Sequence, residues 1–396
     1  MICLKQLLAC LCLGLFFTTA LAAAEPVQTG AERTEAYFPK LKGTRFAVVA
    51  NPTSRIGDTH LVDSLLGAGL RPQWIYAPEH GFRGRKGAGE KVADDRDAET
   101  GLPIKSLYGS QKKPDPRQLQ QLDWVVFDIQ DIGARFYTYL STLHYVMEAC
   151  AEAGVPLLLL DRPNPNGHFV DGPVLDTARF RSFVGMHPIP VVHGMTLGEL
   201  ARMINGEGWL ADGQSCRLEI VSCTGWAHAD RYQPPVAPSP NLPNWASIAL
   251  YPSLCFFEGT AVSVGRGTDH PFQCYGHPKL STGSFTFTPE ADSQAAPHPK
   301  LEGEPCTGAF LKPAARALWH MERLHLAYLT GAYHNLQNQG VTFFTRPEFF
   351  DLLAGTDRLR KAIMSGKTSA QIGRLWREEV LAFRAQRKPY LLYPLQ

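Results

Sequence analysis

The chain carries almost no net charge: 39 lysines and arginines stand against 37 acids among 396 residues. That balance points away from nucleic acid or an anionic membrane surface as a partner. Several common catalytic machines are missing as well. There is no Gly-x-Ser-x-Gly elbow, no His-Glu-x-x-His helix and no Walker-type phosphate loop, and the Gly-Arg-Gly-Thr-Asp-His run at 265–270 lacks the third glycine and following helix of a dinucleotide fingerprint. A serine hydrolase, zincin, kinase or dehydrogenase is disfavoured, and no cofactor is expected. Internal repeats and extended low-complexity tracts are absent, and beyond the first residues no apolar run reaches the length of a membrane span. Six cysteines beyond the N-terminal segment would permit disulfides in an exported chain, but their spacing shows no clear framework. Of nine, Cys3, Cys10 and Cys12 lie at the N-terminus. The wide spacing of Cys150, Cys216, Cys223, Cys255, Cys274 and Cys306 reads as buried free thiols, with Cys216 and Cys223 held apart by one short strand.

What is present begins with residues 1–24, where one lysine, an apolar run and a small-residue Ala-x-Ala close have the form of a secretory signal. The expected location is exported, most simply periplasmic. Leu7–Cys10 resembles a lipoprotein box but lies too early to leave much apolar segment before it. The mature chain is long enough for about two domains.

Continuous apolar runs alternate with helical spacing through the first half. Residues 45–50, 73–76, 123–128 and 155–160 read as strands, with a fifth at 261–264. Residues 61–67, 142–153 and 196–204 read as helices. Unbroken rather than alternating apolar strands suit a sheet covered on both faces. The fold class expected is α/β: a Rossmann-like, doubly wound, mainly parallel sheet domain over 36–240, with a smaller α+β domain over 241–396. A proline-rich stretch at 232–243 marks the junction, and helices at 346–353 and 369–386 close the chain.

The strand exits are polar, and in open α/β sheets that edge is where ligands bind. Glu79 leaves the second strand within Pro-Glu-His-Gly, flanked by Pro78 and Phe82, apolar neighbours that would partly desolvate it. A protonated carboxyl there could donate to a glycosidic oxygen; a loop hydrogen-bond acceptor is the plainer alternative. Asp128 and Asp131, flanking Gln130, offer a second carboxylate or only bonds to loop amides. Arg135 and Arg266 offer planar forks to a substrate carboxylate or structural ion pairs. Asp161 and Arg162 sit in a Pro-Asn-rich turn that such pairs often only rigidify. His80, His193 and His270 lie beside strand ends without tight ligand spacing, so no metal is assigned. Tyr137, Tyr139 and Trp245 could stack on a sugar or fill the core.

Taken together, Asn-Pro-Thr-Ser at 51–54, Pro-Glu-His-Gly-Phe at 78–82, the run 127–139, Leu-Asp-Arg-Pro-Asn-Pro-Asn-Gly at 160–167 and Val-Gly-Arg-Gly-Thr at 264–268 resemble the exo-β-N-acetylmuramidase (NamZ) family over nearly the whole mature chain. The resemblance implies a glycoside hydrolase that removes terminal, non-reducing N-acetylmuramic acid from peptidoglycan fragments, acting in a cleft between the two domains, with Glu79 as the catalytic glutamate. Asp128 and Asp131 are then candidates for its partner, although the substrate's own acetamido oxygen could instead attack. The motif residues Asn51, His80, Gln130, Arg135, Tyr137, Arg162, Asn164, Arg266 and Thr268 are the candidate substrate contacts, and Arg266 or Arg135 is the expected reader of the lactyl carboxylate. The rival expectations are a periplasmic muropeptide-binding protein without turnover, and a cell-wall deacetylase or esterase.

Overall fold

The computed structural model describes residues 26–79, 81–83, 95–292 and 295–396. The putting of residues 1–24 into a signal therefore lies outside the described residues. A seven-stranded sheet organises the first half: β1 (Phe46–Ala50), β2 (Ile75–Ala77), β3 (Asp95–Arg96), β4 (Pro103–Ser106), β5 (Trp124–Asp128), β6 (Leu157–Leu160) and β7 (Leu218–Val221), in the spatial order β3-β4-β2-β1-β5-β6-β7. All neighbours run parallel except the edge pair β3 and β4. The strand order steps outward from β1 in both directions, which is the doubly wound pattern.

The unbroken apolar runs have a direct cause. Phe46, Val48, Ala50, Val126, Leu158 and Leu160 enter one core, closed by helices α1 (Thr34–Leu41) and α2 (Leu61–Gly67). Ala47, Val49, Val125, Phe127, Leu157 and Leu159 enter the other, under α3 (Tyr139–Ala153) and α4 (Leu197–Gly206). Side chains alternate across a strand, so burial on both faces demands an apolar residue at every position.

The C-terminal half is built from α5 (Trp245–Leu254), a three-stranded antiparallel sheet β8 (Cys274–His277), β9 (Phe285–Phe287) and β10 (Cys306–Phe310) with β10 central, and short helices that include α6 (Pro347–Ala354) and α7 (Arg377–Gln386). One apolar core runs from Ala47 to Phe383, so the two halves pack as one body. Two sequence expectations are corrected. Residues 261–264 are not a strand of the parallel sheet; Ser263 makes a single bridge to Gly276 before the chain turns away at Gly265. Residues 369–386 are not one helix, because a 3-10 turn at Arg374–Trp376 buries Trp376, whose indole donates to Asp171 Oδ1 at 2.8 Å. All six described cysteines are free and buried. No helix among the described residues is long and apolar enough to cross a membrane.

Leu158 is wholly buried at the centre of the sheet. Leu158→Ala should lower the unfolding free energy by about 2–5 kcal/mol in urea titration, whereas the exposed Leu381→Ala should change it by about 0.5 kcal/mol or less. Equal effects would contradict this placement of the core.

Candidate active site

Beneath the strand exits lies a buried polar layer assembled from the motif residues. Arg162 donates from Nε and Nη2 to the two oxygens of Asp128, at 2.6 and 2.9 Å, and from Nη2 to the Arg55 carbonyl at 2.9 Å. Asn51 Oδ1 accepts from the Thr53 amide at 2.9 Å, and Thr53 Oγ1 accepts from the Gln130 amide at 3.0 Å. Gln130 Nε2 donates to the carbonyls of Asp131 and Pro163. Asn164 caps its own turn by accepting from Asn166 N at 2.8 Å and donates to the Met195 carbonyl at 2.8 Å. Asp161, pushed up to about 6 by burial against its hydrogen bonds, accepts from Thr196, Gly198 and the C-terminal Tyr393. These contacts sew the loops after β1, β5 and β6 to one another.

That layer corrects several expected roles. Asp128 is fully buried and committed to Arg162, so it does not face a substrate. Asp131 is also buried, with Oδ1 on the Gly133 amide. Asn51, Gln130, Arg162 and Asn164 serve the scaffold rather than the cleft surface. Arg135 is not a reader of substrate: it is 1 % exposed and donates to the carbonyls of Pro173, Ile189 and Leu353. A guanidinium solvated by three carbonyls and no acid is pulled down by burial to about 9. His193 is buried and pushed down to about 3 by desolvation, so it stays neutral. His80 lies outside the described residues. Among the described residues no cluster of three or more His, Cys, Asp or Glu side chains could hold a metal ion.

Above this layer a cleft opens between the two halves. An inner chamber of about 300 Å³ and an outer one of about 840 Å³ share Glu79, Tyr108, Glu258, Arg266 and Phe349 as a common waist. Glu79 follows β2 after the single residue Pro78 and is half-buried. Thr138 Oγ1, at the start of α3, donates to its Oε2 at 2.9 Å. Burial and the neighbouring Glu79 carboxylate push the Tyr108 phenol well up, so it remains a hydrogen-bond donor to Glu79.

Opposite stands Glu258, in the 3-10 turn Cys255–Gly259, where it accepts from Arg266 Nε at 2.8 Å. Burial would raise its pKa, but Arg266, Lys300 and Arg346 together hold the carboxyl below its usual range. Lys300 ties the same turn by donating to the carbonyls of Phe257, Thr260 and Val262. Arg266 is presented between Gly265 and Gly267, both at φ 76°, a left-handed conformation that a side chain would disfavour. Thr268 closes that turn by donating to the Gly265 carbonyl and does not line the cleft. Tyr137, with its hydroxyl on the Pro238 carbonyl, forms part of the inner wall with Tyr139, Phe183 and Tyr251.

Of the sequence candidates, then, the structure brings Glu79, Arg266, Tyr137 and Tyr139 to the cleft. Tyr108, Thr138 and Glu258 were missed. Tyr108 follows β4, whose exit lies on the same sheet edge as Glu79, and that position was the available signal.

Two outcomes test the buried layer. Arg162→Met leaves the Asp128 carboxylate alone in the interior and should cost about 3–5 kcal/mol, most of it recovered in the double variant with Asp128→Leu, as read from a denaturation cycle. Burial raises Asp131 to about 7 against hydrogen bonds from Gly133 and Ile132. Between about pH 4 and 7 the folded chain holds a proton there that the unfolded chain has released, so this carboxyl reduces stability as pH rises through that window. The melting temperature of Asp131→Asn relative to wild type should therefore be higher at pH 8 than at pH 5; a pH-independent difference would contradict the assignment.

Comparison with known proteins adds a lineage to this geometry. Residues 46–246 match the N-terminal and residues 249–393 the C-terminal domain described as exo-beta-N-acetylmuramidase NamZ. The chain is 35% identical over 412 residues to the peptidoglycan beta-N-acetylmuramidase NamZ of Bacillus subtilis (strain 168), covering 96% of this chain and 97% of that protein. Two crystal structures of DUF1343 family proteins from Bacteroides fragilis NCTC 9343 are also similar. One has 47% identity and a TM-score of 0.85, the other 29% and 0.76; each alignment covers 93% of this chain and 99% of the other.

Proposed function

The chain belongs to the exo-β-N-acetylmuramidase NamZ family, and from that premise we propose that it hydrolyses the β-glycosidic bond of a terminal, non-reducing N-acetylmuramic acid in peptidoglycan fragments. The observation that carries the reading is the waist of the cleft, where Glu79 and Glu258 are two carboxyl groups in unlike surroundings. Glycoside hydrolysis needs such a pair, one to protonate the leaving oxygen and one to meet the positive charge that develops at the sugar.

Glu79 is the general acid. Thr138 and Tyr108 hold its side chain from two directions, fixing the carboxyl that must reach the glycosidic oxygen. Glu258, kept ionised by its three cations, is the second carboxylate in place of Asp128 or Asp131. It acts as base or charge stabiliser on the anomeric side.

The inner chamber suits a single sugar. Its aromatic walls offer faces for stacking. Asn241, whose Oδ1 has no partner among the described residues, supplies an acceptor for the acetamido N–H. Arg266 gives its Nε to Glu258 and directs the rest of its fork toward the lactyl carboxylate, which a glucosaminyl sugar lacks. The N-terminal signal pattern supports action outside the cytoplasm, in the periplasm, on peptidoglycan-derived saccharides.

Release of N-acetylmuramic acid from a synthetic β-muramide, followed in wild type and variants, tests the reading. Glu79→Gln should lower kcat by about 10²–10⁴-fold with KM little changed, and Glu258→Gln should also act mainly on kcat. Wild-type binding of the muramide without release would overturn the assignment.

A further inference from the structure

The two chambers differ in charge. Among the described residues that line only the inner chamber there is no aspartate, glutamate, lysine, arginine or histidine; hydroxyl, amide and apolar groups make the wall. Those that line only the outer chamber include Arg346, Lys300 and His298 and no acid. Lys300 directs its ammonium to three backbone carbonyls, so it contributes field rather than a contact.

Arg346 is different. It precedes α6, and its amide donates to the Gly259 carbonyl at 3.0 Å, which fixes it beside the turn that carries Glu258. Its guanidinium lies over the Phe349 ring at 4.3 Å from the centroid, is exposed to the chamber, and has no hydrogen-bond partner among the described residues. A planar fork laid on an aromatic shelf keeps its N–H edge available for a carboxylate.

Size and polarity assign the ends. If the inner chamber takes the terminal sugar, as the proposed function has it, the larger outer chamber lies on the leaving-group side. We infer that the outer chamber is a leaving-side subsite for a second, carboxylate-bearing muramic acid, with Arg346 as its anion contact and Phe349 as its platform. The inference rests on the proposed hydrolysis at the waist. It extends that reading from a one-sugar enzyme to one that measures the fragment beyond the bond it cuts.

The experiment compares kcat/KM for a small synthetic β-muramide with that for a peptide-free tetrasaccharide of alternating N-acetylmuramic acid and N-acetylglucosamine. A length-matched chain with N-acetylglucosamine in place of the second muramic acid serves as the neutral control. Wild type should favour the anionic tetrasaccharide over both, and added salt should erode the preference. Arg346→Gln should cut the ratio of tetrasaccharide to muramide by about tenfold, while Arg346→Lys keeps part of it. A misfolded variant would lose both activities together and leave the ratio unchanged. A tetrasaccharide with a stem peptide on the second muramic acid separates the two sources of carboxylate: greater preference assigns the subsite to peptide carboxylates, lesser preference to the free lactyl group. Hydrolysis of the muramide with no wild-type preference for the anionic chain, or an unchanged ratio in an Arg346→Gln protein that keeps the wild-type circular dichroism spectrum and melting temperature, would overturn this subsite alone. Failure to cleave any of the substrates would overturn the proposed hydrolysis with it.

Discussion

The cleft rests on the ion pair between Asp128 and Arg162. It closes at the exits of two adjacent parallel strands, buried in the fold, and its guanidinium also holds the carbonyl of Arg55 in the loop after β1. Burying two charges repays about as much as it costs in free energy, so the pair adds little net stability compared with apolar packing. Its effect is positional. Three loops that would otherwise be independent are held in one arrangement, and the strand next to β1 delivers Glu79 above them.

This separates support from chemistry by depth. The lower layer contains the more reactive-looking set of side chains, among them Asp128, Asp131, Asp161, Arg135, Arg162, Asn51 and Gln130, each bonded to another part of the fold. Among the described residues, the upper layer contains two carboxyl groups, set by different means. Glu79 is held by neutral donors, Glu258 by cations. An arrangement that gives two carboxyls different surroundings is what a reaction requiring one proton donor and one anion needs.

Much of the sheet was legible in the sequence because burial on both faces leaves no room for polar alternation, and Glu79 was legible because it leaves a strand on the ligand-binding edge. The site's other half was not. Glu258 follows two buried phenylalanines and reads as the end of a core segment. What makes it a cleft carboxylate is the convergence of Arg266, Lys300 and Arg346 from separate later stretches, a tertiary fact without a local pattern. The reverse error had the same origin: Asp128 and Arg135 have suitable side chains, and residue type alone does not distinguish a group presented to a cleft from one closed inside the fold. The residues at 261–264 have the composition of a strand, yet the turn at Gly265 leaves them one bridge and no ladder.

The most direct test of the account is a crystal structure of the Glu79→Gln protein with a muramic-acid-terminated disaccharide bound. The account predicts the muramic ring in the inner chamber, its glycosidic oxygen within hydrogen-bond reach of residue 79 and Glu258 facing the anomeric carbon. A disaccharide seated elsewhere, or one whose glycosidic oxygen points away from residue 79, would contradict it.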